Sequence, residues 1–226
     1  MPTRLFVRFR VPDARARNKL QAFSNLHLSG QIREVFLIDC FAIDKSLDAK
    51  QLSLAKKLLH NPLLQEVFDT APAPKNFDYA IEVGFLPGVT DNVGNTAKET
   101  LEDGLKIKFK NGESVYTSQL IFIVGKISGR DAKIIADSLY NPLIQRVTIK
   151  SFAQYQKSGG MNAVLPKVEL VAETKVLKVD LNVSDEELIK LGKMGIKEPL
   201  NPHPPTPLPE GEGGSPKART PGFGAG

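Results

Sequence analysis

The chain holds a single cysteine, Cys40, among its 226 residues, so no disulfide can close within it, as expected of a protein in a reducing compartment. Long apolar runs are also lacking. None approaches the ~18–20 residues that a membrane helix needs. The first apolar stretch, Leu5-Phe6-Val7-Arg8-Phe9, is broken by arginine, which is wrong for a secretion signal. The expected location is the cytoplasm, with no membrane partner. The three histidines, His27, His60 and His203, have no metal-ligand spacing to one another or to Cys40, so no metal site is expected. Cys40 sits in a β-rich run between Asp39 and Phe41. A nucleophilic thiol wants a base or a helix N-terminus beside it, so a buried thiol is the expectation. The glycine-rich stretches lack the Lys-Ser/Thr ending of a phosphate-binding P-loop, and Gly84, Gly88 and Gly94 do not fit the dinucleotide fingerprint. The chain alone is expected to catalyse nothing.

What is present is an ordinary soluble composition, 41% apolar and 24% charged, on a length that allows one or two domains. The net charge of +5 is placed unevenly. Residues 1–33 carry Arg4, Arg8, Arg10, Arg15, Arg17, Lys19 and Arg33 against one acid, Asp13. The arginines alternate with core-type residues, so a solvated face is the first reading, and nucleic acid, a phosphorylated ligand or an acidic partner surface are the alternatives.

An internal repeat organises the rest. Asn61-Pro62-Leu63-Leu64-Gln65-Glu66-Val67 returns as Asn141-Pro142-Leu143-Ile144-Gln145-Arg146-Val147, an offset of 80 residues. The division expected is 1–75 for the first copy, 76–157 for the second, 158–198 for a strand and the start of a linker-like helix, and 199–226 for a disordered tail. Each copy reads strand–helix–strand–helix–strand. Leu5, Val7 and Phe9 alternate with Phe6 and Arg8, the pattern of a strand with one buried face. Pro12-Asp13 opens a helix with Ala16, Leu20 and Phe23 on its apolar stripe. Ile32 to Ile43 is a long strand. Ser46 is the expected cap of the next helix, and Asn61-Pro62 stops it. In the second copy, Tyr79 to Leu86 is a strand, Thr90 or Asp91 caps a helix reaching about Leu105, and Asn111-Gly112 makes a turn. Val115 to Val124 is the long strand, followed by a helix with Ala132, Ile135, Ala136 and Leu139 inward. This is an α+β pattern of the ferredoxin-like kind, in tandem.

Beyond the repeat, Ser158-Gly159-Gly160 is expected to be flexible and Val168 to Leu181 to form strands. Ser184 to Glu187 is a capping box ahead of a short helix. From Pro199 the chain turns rich in proline and glycine, a composition that cannot build a core.

The most distinctive stretch is Phe85-Leu86-Pro87-Gly88-Val89-Thr90-Asp91-Asn92-Val93-Gly94-Asn95-Thr96-Ala97. It reads as a strand-to-helix turn, and a helix N-terminus there also suits an anion. The residues Pro87, Gly88, Val89, Asp91, Gly94 and Ala97 resemble the signature that opens the first helix of PurS-like proteins. The tandem halves, with Asn61, Pro62, Asn141 and Pro142 as the repeated loops, resemble the N-terminal region of the single-chain phosphoribosylformylglycinamidine synthase, which looks like a fused PurS dimer. Val183 to Leu188 is similar to the start of the linker domain that follows there.

That resemblance, over residues 1–196, implies a non-catalytic component of a ligase of purine biosynthesis. It implies synthetase and glutaminase components as partners, a bridging role in moving ammonia between them, and ATP and magnesium as cofactors of the complete enzyme but none in this chain. The family's synthetase and glutaminase domains have no counterpart in this sequence, so no catalytic residue carries over. Two further readings of such a fold are an RNA-binding module, which would need exposed stacking aromatics and a second motif missing from Ile32 to Leu37, and an ACT-like ligand-binding regulator.

Overall fold

A computed structural model of the protein describes residues 2–28, 30–168 and 181–194. It separates into two compact units, Met1–Val171 and Ala172–Gly226. In the second unit the described element is α6, Asp185–Met194, and one half of the expected capping box forms there: the Glu187 amide donates to Ser184 Oγ at 3.4 Å, while the Glu187 carboxylate meets the Ser184 hydroxyl at 3.4 Å rather than its amide. The strands expected in Val168 to Leu181 fall on residues 169–180, outside the described residues, as does the proline-rich tail.

The first unit is α+β, with a six-stranded antiparallel sheet. In chain order it runs β1 (Thr3–Phe9), α1 (Ala14–Phe23), a π-helical turn (Ser24–Leu28), β2 (Ile32–Ile43), α2 (Ala49–Leu58) and β3 (Gln65–Phe68). Then come β4 (Tyr79–Phe85), α3 (Asn92–Leu105), β5 (Val115–Gly125), α4 (Gly129–Leu139), β6 (Gln145–Ser151) and α5 (Phe152–Lys157). The strand order is β3-β1-β2-β5-β4-β6. It reads alike from both ends: each half contributes its middle strand to the centre and its last strand to an edge. At the seam Asp39 faces Gln119, and β2 and β5 pair along nearly their full length. The two sequence copies therefore share one sheet and one compact unit.

Local chemistry explains most boundaries. Asp13, Asp91 and Ser128 cap α1, α3 and α4 through side-chain oxygens. The cap of α2 is Asp48, not Ser46. Asp48 accepts from the Gln51 amide at 2.8 Å while Gln51 Oε1 accepts from the Asp48 amide at 3.0 Å, and this reciprocal pair outcompetes a lone serine.

One face of the sheet carries α1 to α4. Phe23, Val35, Ile81, Ile121 and Ile135 lie in one cluster there, and Leu5, Ile43, Ala55, Leu101 and Val115 in another. The opposite face is covered too, which corrects the one-sided reading of β1. Phe6 is buried as well as Leu5 and Val7, because Phe77, Phe152, Tyr155 and Met161 pack over it with Phe122. Phe77 meets Phe122, Phe152 and Tyr155 edge-on at 4.8, 5.0 and 5.2 Å, a favoured aromatic geometry. The helix that supplies two of these rings, α5, was not expected from the sequence, although Ser151 and Gln154 spell its capping box. The stretch read as flexible, Ser158-Gly159-Gly160, is a defined turn. Gly159 and Gly160 take φ of 66° and 115°, and Lys150 Nζ donates to Gly160 O at 2.7 Å and Ser158 Oγ at 2.8 Å.

Candidate functional site

The distinctive turn between β4 and α3 is built from the inside. Gly88 takes a φ of 81°, which reverses the chain after Pro87 at no steric cost. Val89 closes the turn by donating to Leu86 O at 3.3 Å. Asp91 is buried, and its carboxylate accepts from Gly94 N at 2.7 Å, Thr117 N at 2.6 Å and Thr117 Oγ1 at 2.9 Å. It therefore caps α3 and also holds the edge of β5. Gly94 lies so close to that strand that an added Cβ would stand 2.4 Å from Val115 O. Ala97 is buried one turn further on. The helix start that suits an anion is thus filled by the chain's own carboxylate.

The repeated loops also share their geometry. Leu63 N donates to Asn61 Oδ1 at 2.9 Å and Leu143 N to Asn141 Oδ1 at 3.0 Å. Asn61 N donates to Gln65 Oε1 at 2.7 Å and Asn141 N to Gln145 Oε1 at 2.9 Å. Each asparagine folds its loop as an Asx turn, and Pro62 and Pro142 stand exposed beside it. The turns push apolar side chains outward: Leu63 is 84% and Leu143 83% exposed, with Leu64 and Ile144 beside them at 43% and 41%. Because β3 and β6 are the two edge strands and enter from opposite ends, these apolar tips occupy diagonally opposite corners of the sheet.

The structure does not gather the singled-out residues into one place. Asn61 and Ala97 border a groove between α2 and α3. Gly88, Val89 and Asp91 border another beside β5. Pro62, Asn141 and Pro142 lie on the loops.

A polar cluster that the sequence did not announce lies on the α5 side of the sheet. Arg4 ion-pairs with Glu82, whose side chain is 3% exposed, and donates to Met161 O at 2.9 Å. Ser118 Oγ donates to the same Glu82 oxygen at 2.7 Å. Burial acts most strongly on Arg4 and lowers its pKa, but the charge and hydrogen bond of Glu82 together with neighbouring Cys40 outweigh it, and the value is raised. Arg146 is lowered by burial, against the pull of Glu82. Its guanidinium lies over Gly84, where an added Cβ would stand 2.8 Å from Nη2, and its Nε is buried with no hydrogen-bond partner. In the first half the same register position pairs Arg8 with Glu66 at 3.3 Å. In the second half the corresponding positions hold Gly84 opposite Arg146.

Cys40 borders this cluster. It is 1% exposed, and burial pushes its thiol up to about 12, which removes the thiolate at neutral pH. Cys40 in the native protein is therefore expected to resist a maleimide at pH 8 and to label fully in 6 M guanidinium, as mass spectrometry would report. Rapid native labelling would contradict this burial.

On the helix face, a cleft of about 430 Å³ opens over the seam. Asp39 lies on its floor, bound by Arg15 at 2.9 and 3.1 Å and by Gln119 at 3.4 Å. Among the described residues no three His, Cys, Asp or Glu side chains are grouped to hold a metal, and no helix is long and apolar enough to cross a membrane. Compared with known proteins, the chain matches no family model and no curated sequence.

Proposed function

We propose that the chain is a PurS-like component, or the N-terminal region, of phosphoribosylformylglycinamidine synthase. It acts without chemistry of its own, bridging the synthetase and glutaminase parts in de novo purine synthesis in the cytoplasm. ATP and magnesium belong to the complete enzyme. The chain is, in this reading, a fused pair of ferredoxin-like copies that imitates a symmetric dimer. One observation carries it: the same Asn-Pro-Leu loop recurs at opposite corners of one sheet, with Leu63 and Leu143 each more than four-fifths exposed. Two equivalent apolar tips facing apart suit a part that touches two neighbours at once.

The test is glutamine-dependent amidation by the matching catalytic chains, with this protein titrated in. Activity should rise and saturate at a fixed stoichiometry while ammonia-dependent activity changes much less. Leu63→Asp with Leu143→Asp should abolish the rise and leave the far-UV circular dichroism unchanged. No rise with the wild-type chain removes the proposal.

A second reading, an ACT-like small-ligand regulator, is favoured by the polar cleft over Asp39 and Gln119. A thermal shift with a free amino acid, lost in Asp39→Asn, would support it. For the RNA-binding reading, Phe6 and Phe122 are buried beneath Phe77 and Tyr155, so these rings are closed to base stacking.

A further inference from the structure

The two halves of the sheet end in matching grooves that are filled differently. β4 pairs with β5 only as far as Gly84 opposite Ser118. The part of β5 before Ser118 therefore has a side edge with no strand beside it, and Pro166, Lys167 and Val168 lie along the groove there. Lys167 ion-pairs with Asp44, and Val168 lies 3.5 Å from where Gly88 would carry a Cβ. An extended piece of the chain thus seats on that half.

In the first half β1 pairs with β2 only as far as Val7 opposite Asp39. The stretch of β2 before Asp39 is the counterpart edge, and among the described residues no strand pairs with it on that side. What borders it is an open groove of about 610 Å³. Its apolar lining includes Val11, Ala16, Leu20 and Phe36, and its charged lining is Arg8, Arg10, Arg17 and Arg33 against Asp13, Glu34 and Glu66, of which Glu34 is exposed and forms no ion pair with a described residue. Val11 is 45% exposed. Arg8 and Arg10 share one carboxylate, Glu66, each at 3.3 Å. Asp13 is already held by Arg15 at 2.9 Å. Arg17 and Arg33 are exposed and form no ion pair with a described residue. The register of β2 on β5 shifts between Ile32 and Glu34, and such a bulge at Arg33 re-aims its side chain away from the ladder.

We propose that this groove docks an extended, acidic segment of a partner protein, laid beside the free edge of β2 as residues 166–168 lie beside β5. Main-chain groups on an open strand edge accept an added strand. Alternate side chains of that strand point one way into the apolar lining and the other way toward solvent. The surplus of arginine over available carboxylate selects acidic side chains. The site serves whichever larger assembly the chain belongs to.

The probe is a fluorescein-labelled peptide of four Val-Glu repeats, titrated with the full chain and followed by anisotropy. Saturable binding is expected. Arg17→Glu with Arg33→Glu should weaken it by about tenfold, because both arginines are exposed and their reversal leaves the core alone. Lys50→Glu with Lys57→Glu on α2 makes the same change in net charge away from the groove and should leave binding within about twofold. A peptide of four Val-Lys repeats should bind the Arg17/Arg33 variant better than the wild type. Hydrogen exchange should slow at the amides of Glu34 to Leu37 when the acidic peptide is bound. Absence of binding overturns the proposal. So does equal weakening by the two double variants, or protection confined to another part of the sheet.

Discussion

Asp91→Ala should destabilise the protein by about 3 kcal/mol, since it removes a helix cap and a charge-assisted strand contact together. For a chain of this size that is a fall of roughly 6–12 °C in Tm. The size of the effect comes from the double use of one carboxylate. An ordinary cap holds only its own helix, whereas Asp91 also accepts from the amide and hydroxyl of Thr117, 26 residues away. Asp91→Asn keeps one acceptor oxygen and the shape, so it should cost about half as much. Thr117→Val removes the hydroxyl and leaves the amide, so in a double-mutant cycle with Asp91→Ala the two should couple by about 1 kcal/mol. Chemical denaturation measures all three. An Asp91→Ala variant as stable as the wild type would show that the link between α3 and β5 does not hold.

Glu82→Ala should cost more, about 3–5 kcal/mol, the range for breaking a buried ion pair from one side. Arg4 and the nearby Arg146 would then remain in a largely covered site with no carboxylate between them, and Ser118 would lose its acceptor. Arg4→Met alone should also be costly, because it strands Glu82. The informative variant is the double one, Arg4→Met with Glu82→Leu, which removes both charges and keeps the volume. It should be markedly more stable than Glu82→Ala, because desolvating the pair had offset most of its attraction. Urea midpoints of the three variants test this. A double variant less stable than either single variant would mean that the ion pair stabilises the fold outright.

Several features were legible in the sequence because they are local. The β-rich run from Ile32 to Ile43 marked a strand that forms over that span. Asp91 was one of two caps named for α3, and the helix ends at Leu105 as expected. Two copies of an Asn-Pro-Leu segment announced two loops that make the same hydrogen bonds. The cap of α2 was read as Ser46, and Asp48 takes that place because its reciprocal pair with Gln51 satisfies two amides where a lone serine would satisfy one. α5 was hidden because its 6 residues are too few to show a helical apolar period, although Ser151 and Gln154 form its capping box.

Other features left no local trace. Arg4 and Glu82 are 78 residues apart, and nothing in the period of either strand says that one reaches the other. Phe6 looked like the solvent side of β1, since a strand pattern records alternation but not whether a second layer covers the far face. That layer comes from Phe77, Phe152 and Tyr155, distant in the chain. Gly84 carried no turn or motif signal, and its need for hydrogen in place of a side chain follows from Arg146 lying over it. The candidate groove beside β2 exists because β1 stops pairing at Val7, a property of two strands and not of either.

The sequence by itself determined most of the strands and helices of the first unit in their order, several of the caps and turns that bound them, and the recurrence of the Asn-Pro-Leu loop, because hydrogen bonds to neighbouring amides and the burial period of a strand or helix are written within a few residues. Tertiary structure alone decided that the halves share one sheet, that its second face is covered, that Arg4, Glu82 and Arg146 meet, and that one edge groove is filled while, among the described residues, its counterpart is open. Those outcomes depend on which surfaces come together across the fold, where packing and desolvation act between residues the chain keeps far apart.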